Sequence, residues 1–193
     1  MNKDQLLKKR YRAEKRFKFY GLVSITLAIL FVIFLVNVIF SKGRTAFQRT
    51  TIAVEVNFNT EELELSSNAS IEEIQDADFY DLSINSLLKL YKTEGAKQEK
   101  ELLRVFSPDH DIEIKNFLIK NLDNLNKNVI VNLTTSDDID QLHKGNYPRH
   151  LPEERRRISD FQLLIYDQLV KENKVNKVFN TFFFTNGDSR NPE

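Results

Sequence analysis

The sequence predicts an α+β protein, with one membrane-spanning helix near the N-terminus followed by a mixed, helix-rich domain on the side away from the cytoplasm. Three observations predict it. Residues Phe19 to Ser41 carry no charge, residues 1 to 18 are dense in Lys and Arg, and helix-like and strand-like apolar periods alternate from residue 50 onward. The chain has 193 residues. Setting aside the first 41 leaves about 150, the size of one domain with its own core. The expected boundaries are 1–18 for a basic cytoplasmic segment, 19–41 for the span, 42–178 for the outer domain and 179–193 for an aromatic segment leading back towards the membrane.

From Phe19 to Phe40 the run of Leu, Ile, Val, Phe and Ala is broken only by Tyr20, Gly21, Ser24, Thr26 and Asn37. At ~1.5 Å per residue it extends about 33 Å, enough to cross the ~30 Å hydrocarbon core. Apolar side chains occur all round it, whereas a surface helix of a soluble protein keeps a polar stripe. A cleaved signal peptide has an apolar part of only ~7–15 residues and small residues at its cleavage site. Here the run is longer, and Ser41, Lys42, Gly43 and Arg44 follow it. Eight Lys or Arg lie among residues 1 to 18, against Lys42, Arg44 and Arg49 after the span. Positive flanks stay in the cytoplasm, so the N-terminus is expected inside. Leu6, Leu7, Tyr11 and Phe17 let the same basic stretch lie on anionic headgroups.

Beyond the span, Thr50 to Phe58 alternates, with Ile52, Val54, Val56 and Phe58 on one face of a half-buried strand. Ser70 and Glu73 have capping-box spacing, and Ile84, Leu87, Leu88 and Tyr91 predict a helix to about Lys92 that stops before Gly95. Lys97 to Phe106 reads as another helix. Ser107 and Pro108 read as the N-cap and first residue of the next, with Ile112, Phe117, Leu118, Leu122 and Leu125 as its buried stripe. Val129 to Leu133 reads as a strand, and Ser136 caps a short helix ending near Gly145. Pro148 and Pro152 mark a loop. Ser159 caps a helix with Leu163, Ile165, Tyr166 and Leu169 inward, ending at Lys171. Val175 to Phe184 reads as a last strand.

Charge and motif content narrow the function classes. The formal charge is zero overall, but residues 1 to 18 carry a net +6 and residues 42 to 193 a net −6. An acidic outer domain argues against nucleic acid, because counterion release needs a basic face. Cysteine is absent, so there is no disulfide framework and no thiolate metal site. No Gly-x-Ser-x-Gly elbow, phosphate-cradling Gly-rich loop or zinc-protease pattern occurs, and the expectation is a non-enzyme without cofactor or metal. Asp109, His110 and Asp111 fit the acidic first turn of a helix better than a metal site. His143 and His150 stand alone in sequence. Arg149, His150, Arg155, Arg156 and Arg157 form a basic cluster that could meet an anion or an acidic partner, although a solvated helix start, partly neutralised by Glu153 and Glu154, is the preferred reading. Phe182, Phe183 and Phe184 suit either a core strand or the water interface of a bilayer.

A family resemblance rests on residues near both ends. Arg12-Ala-Glu-Lys-Arg-Phe-Lys-Phe-Tyr-Gly21 precedes the span, and Ser41-Lys-Gly43 and Ala46-Phe47-Gln48 follow it. Further on come Ile158-Ser-Asp160 with Gln162, Phe179-Asn180 with Phe182-Phe183, and Gly187-Asp-Ser-Arg190 with Pro192-Glu193. Together they resemble the N-terminal region of the PstA permease family of phosphate ABC transporters, in the alphaproteobacterial variant with a large periplasmic insert after the first helix. The resemblance implies an inner-membrane location with a periplasmic domain that is structural or docks partners. It implies a role in ATP-driven phosphate uptake beside a second permease subunit, a nucleotide-binding ATPase subunit and a periplasmic phosphate-binding protein. In that family the Gly187-to-Glu193 segment leads into further membrane helices, so this chain corresponds to the N-terminal part. No catalytic or ligand residue is carried over by the resemblance; Arg190 joins the other arginines as a candidate anion or partner contact, and re-entry would cast Phe182 to Phe184 as the return to the membrane. The alternative is a stand-alone single-pass envelope scaffold with an outer interaction domain.

Overall fold

A computed structural model describes residues 3 to 66 and 68 to 181. The chain divides into two units, one running to Thr45 and the other starting at Ala46. The first is a continuous helix, α1 (Lys3–Gly43), joined to the second by a 3₁₀ turn, Arg44–Phe47. From Phe17 to Phe40 its large apolar residues are exposed on every face. It is the one helix among the described residues that is long and apolar enough to cross a membrane.

The second unit is organised around its first strand, β1 (Gln48–Asn57). Two further strands, β2 (Asn128–Thr134) and β3 (Val175–Phe179), flank it in the order β2-β1-β3, both antiparallel to it. Period-two alternation decides which face is buried. Ile52, Val54, Val56 and Phe58 point into the core together with Val131 and Leu133. On the opposite face Glu55, Asn57, Asn128, Ile130, Asn132 and Asn176 are exposed. Each fully buried Ile, Leu or Phe contributes roughly 1.5–3 kcal/mol of transfer free energy, so this row is the main stabilising feature of the strand.

Six helices follow β1 in sequence: α2 (Ile71–Asp76), α3 (Tyr80–Leu88), α4 (Ala96–Leu103), α5 (His110–Lys120), α6 (Asp137–His143) and α7 (Asp160–Lys171). The capping box at Ser70 forms as its spacing predicts: the Ser70 hydroxyl accepts from the Glu73 N–H, and Glu73 accepts from the Ser70 N–H. Ser159 and Gln162 make a second box on α7, and the Ser159 hydroxyl also donates to Glu101 at 2.7 Å, tying α7 to α4. Two helices end in Schellman motifs. On α6 Gly145, at φ +78°, and Asn146 donate to Leu142 and Gln141. On α7 Asn173, at φ +55°, and Lys174 donate to Val170 and Leu169, which reverses the chain into β3.

Several expectations need correction. The helix expected from Lys97 to Phe106 ends at Leu103. Leu122 and Leu125, expected on the buried stripe of the following helix, lie beyond its last residue, Lys120, and Leu122 is exposed. The last strand ends at Phe179. The helix over Ile84 ends at Leu88 rather than near Lys92, and small Ser83 and Ser86 share its buried face with Leu82 and Leu87. The helix expected from Pro108 begins at His110. Phe106 bridges Thr135, and the Ser107 N–H donates to Thr134 at 3.0 Å, so this stretch extends the sheet before the helix can start. The buried row of α5 is therefore His110, Ile114 and Leu118, one residue every helical turn, while Ile112 faces out at 51% exposure. Phe117, on the flank of that row, stacks on Phe58 with ring centroids 6.1 Å apart.

Candidate functional site

The features that bear on function collect where the chain enters the second unit. Gln48 pairs with Phe179, and just before it the Asn180 N–H donates to the Phe47 carbonyl at 2.8 Å. The Asn180 side chain reaches the Ala46 carbonyl at 3.5 Å. Thus Phe179 to Thr181, the last described residues, lie beside Ala46 to Gln48, the first of this unit. Phe179 is 60% exposed there. Phe182, Phe183, Phe184 and Arg190 lie outside the described residues.

The start of β1 is latched by α6. Asp140 accepts hydrogen bonds from the Thr50 N–H at 2.9 Å and the Thr50 hydroxyl at 2.7 Å, and it pairs with Lys144 at 2.5 Å. The Lys144 side chain is only 7% exposed, so this ion pair is largely shielded from water. Next to it, His143 Nδ1 and the Tyr166 hydroxyl lie 2.8 Å apart. Burial chiefly, helped by Lys177, holds the His143 pKa below its ordinary value against the pull of Asp140. Burial raises that of Tyr166. The lowered value favours the neutral ring, and the contact ties α6 to α7.

On the far side of the sheet's upper end, Glu113 accepts from the Thr134 N–H at 2.7 Å and bonds its hydroxyl, and Arg49 donates to the same hydroxyl at 3.0 Å. The carboxylate thus occupies backbone capacity that an edge strand would otherwise present to another chain.

The arginine cluster does not converge. Arg149 donates to both oxygens of Asp167, at 2.7 and 2.6 Å. Arg155 sits in an exposed 3₁₀ turn, Glu153–Arg155. The Arg156 side chain is 4% exposed and pairs with Asp160, the first residue of α7. Arg157 extends into solvent, 3.8 Å from Asp138. Two of the four are thus engaged by α7 carboxylates. His150 is exposed, while His110 is buried at the first position of α5. Among the described residues no three His, Asp or Glu side chains come together as metal ligands. Sequence reasoning gave no role to Asp140, which belongs to no motif, and placed Phe179 at the start of a longer aromatic run.

His110 and His143 share a pH consequence. Burial lowers both below the ordinary value of 6.5. The unfolded chain then takes up protons at a higher pH than the folded one, so their stabilising contribution is complete above about pH 6.5 and is lost as pH falls towards the lowered folded values. Thermal melts of the chain should therefore move to lower temperature between pH 7.5 and 5.5. A His110→Gln, His143→Gln variant should show a flatter dependence over that interval. An unchanged slope in the variant would assign the effect to other groups.

A family model described as a domain of unknown function (DUF3333) matches residues 4–153. No curated protein and no solved structure matches the chain.

Proposed function

We propose that this chain, which belongs to the family described as a domain of unknown function (DUF3333), is the anchor and periplasmic domain of the N-terminal part of an inner-membrane permease for ATP-driven phosphate uptake. Its N-terminus is cytoplasmic. The observation that carries the reading is the meeting of entry and exit. The chain passes from an exposed apolar helix into β1, traverses the domain, and comes back along β3 to hydrogen-bond with Phe47. A domain inserted between two membrane helices needs this arrangement, because both of its ends must reach the same leaflet. The divergent arginines and the latch at Asp140 favour a structural or partner-docking role for the domain over direct handling of phosphate. Its partners are a second permease subunit, the ATPase subunit and the periplasmic phosphate-binding protein.

Topology and partners are tested separately. A reporter active only outside the cytoplasm should give signal when fused after Phe58, and removing most of Lys8 to Lys18 should weaken that signal. A cytoplasmic reporter active at the same junction would overturn the orientation. Affinity capture of the chain from solubilised membranes should recover the second permease subunit and the ATPase. Recovery of the chain with neither would favour the single-pass scaffold.

A further inference from the structure

A cleft of about 560 Å³ opens between α3, α4, the start of α5 and the start of α6. Its size falls within the ~300–1,000 Å³ typical of small-molecule sites. Ile84, Leu103 and Pro108 supply apolar wall, and His110 lines it. This histidine is 7% exposed, its Nδ1 is buried without a hydrogen-bond partner, and neither ring nitrogen is bonded among the described residues. Nδ1 therefore forgoes its hydration without compensation.

The charges around the cleft are uneven. Lys100 and Arg104 stand one turn apart at the end of α4, both exposed, and neither side chain has a partner among the described residues. Arg157 is 83% exposed and only 3.8 Å from Asp138, which it partly neutralises. Asp137 completes the set. Three cations thus face two carboxylates, a positive excess in a domain that is net negative. Two carboxylates on the rim disfavour a compact, multiply charged anion, and such an anion would gain nothing from the apolar wall.

We propose that this cleft binds an organic monoanion, a carboxylate on an apolar body. The head lies between Lys100 and Arg104, the body rests on Ile84, Leu103 and Pro108, and a polar atom reaches His110. The site does not depend on the orientation of α1 or on any transport partner.

The test uses the full chain in lipid nanodiscs, with ring-¹³C histidine and three probes: 4-phenylbutyrate, 4-phenylbutylamine of the same body and opposite charge, and inorganic phosphate. His110 is assigned by loss of its signal in His110→Asn, and His143 and His150 serve as internal controls outside the cleft. Phenylbutyrate should move the His110 resonance saturably, and the other two probes should not. A Lys100→Gln, Arg104→Gln variant alters only exposed side chains, and its fold is checked by circular dichroism. It should raise the half-saturating concentration about tenfold or more, as expected for losing charge-assisted hydrogen bonds. The proposal is overturned by the absence of a saturable shift with phenylbutyrate, by an equal response to phenylbutylamine or phosphate, or by an unchanged half-saturation in the double variant.

Discussion

Replacing Ile29 and Ile33 by arginine should release the chain from membranes. Both side chains are more than half exposed in the isolated helix, so nothing in the fold packs against them. For a helix in water the change would be neutral or favourable. In a bilayer each arginine near the middle of a span costs about 2.5–3.5 kcal/mol, and the two together about 5–7 kcal/mol. That is comparable with the whole insertion free energy of a run interrupted by Ser24, Thr26 and Asn37. The expected result is loss of the chain from carbonate-washed membranes and loss of signal from a reporter after Phe58. Ile29→Leu with Ile33→Leu should leave both unchanged. Full retention of the arginine variant would refute a spanning role for this helix.

Removing the Asp140 side chain should destabilise the second unit by about 3–5 kcal/mol, as for breaking a shielded ion pair from one side. Two losses combine. The Lys144 ammonium, on a side chain 7% exposed, loses its counter-charge, and the fully buried Thr50 loses an acceptor for both its N–H and its hydroxyl. Asp140→Asn keeps an oxygen for Thr50 and should cost less. Adding Lys144→Met to Asp140→Asn should recover part of the loss, because no unpaired charge remains. The urea midpoint followed by tyrosine fluorescence reports these differences, since the chain has six Tyr and no Trp. Equal losses for Asp140→Ala and Asp140→Asn would mean that the Thr50 bonds contribute little.

What could be read from the sequence was what depends on near neighbours. The alternation at Ile52, Val54, Val56 and Phe58 names the buried face of β1 because the pleat alone determines it. Ser70 with Glu73 names a helix start because the two side chains satisfy each other within one turn. The reading failed where a distant segment competed. Ser107 and Pro108 are a good local helix start, yet Thr134 claims the Ser107 N–H and delays the helix to His110. The run of arginines looked like one site because charge was counted along the chain, while Asp167, Asp160 and Asp138 draw the side chains apart. That β3 pairs with β1 rather than with β2 was equally hidden, since register is set by how the intervening helices pack.

The central place of β1 has a consequence for the order in which the unit assembles. The first strand to be synthesised is the one that both others need. Thr51 meets Thr134 on one side and Asn176 on the other, so neither ladder forms until long after β1 has been made, and the second waits for the last described strand. Such pairing is dominated by contacts distant in sequence, which slows folding because the entropy of closing the intervening chain is lost before any contact repays it. Throughout elongation the apolar row of β1 has no sheet to complete, and its two hydrogen-bonding edges stand open to other chains. The unit consequently folds as a late, nearly all-or-none event, and β1 is the segment most in need of protection until β3 arrives.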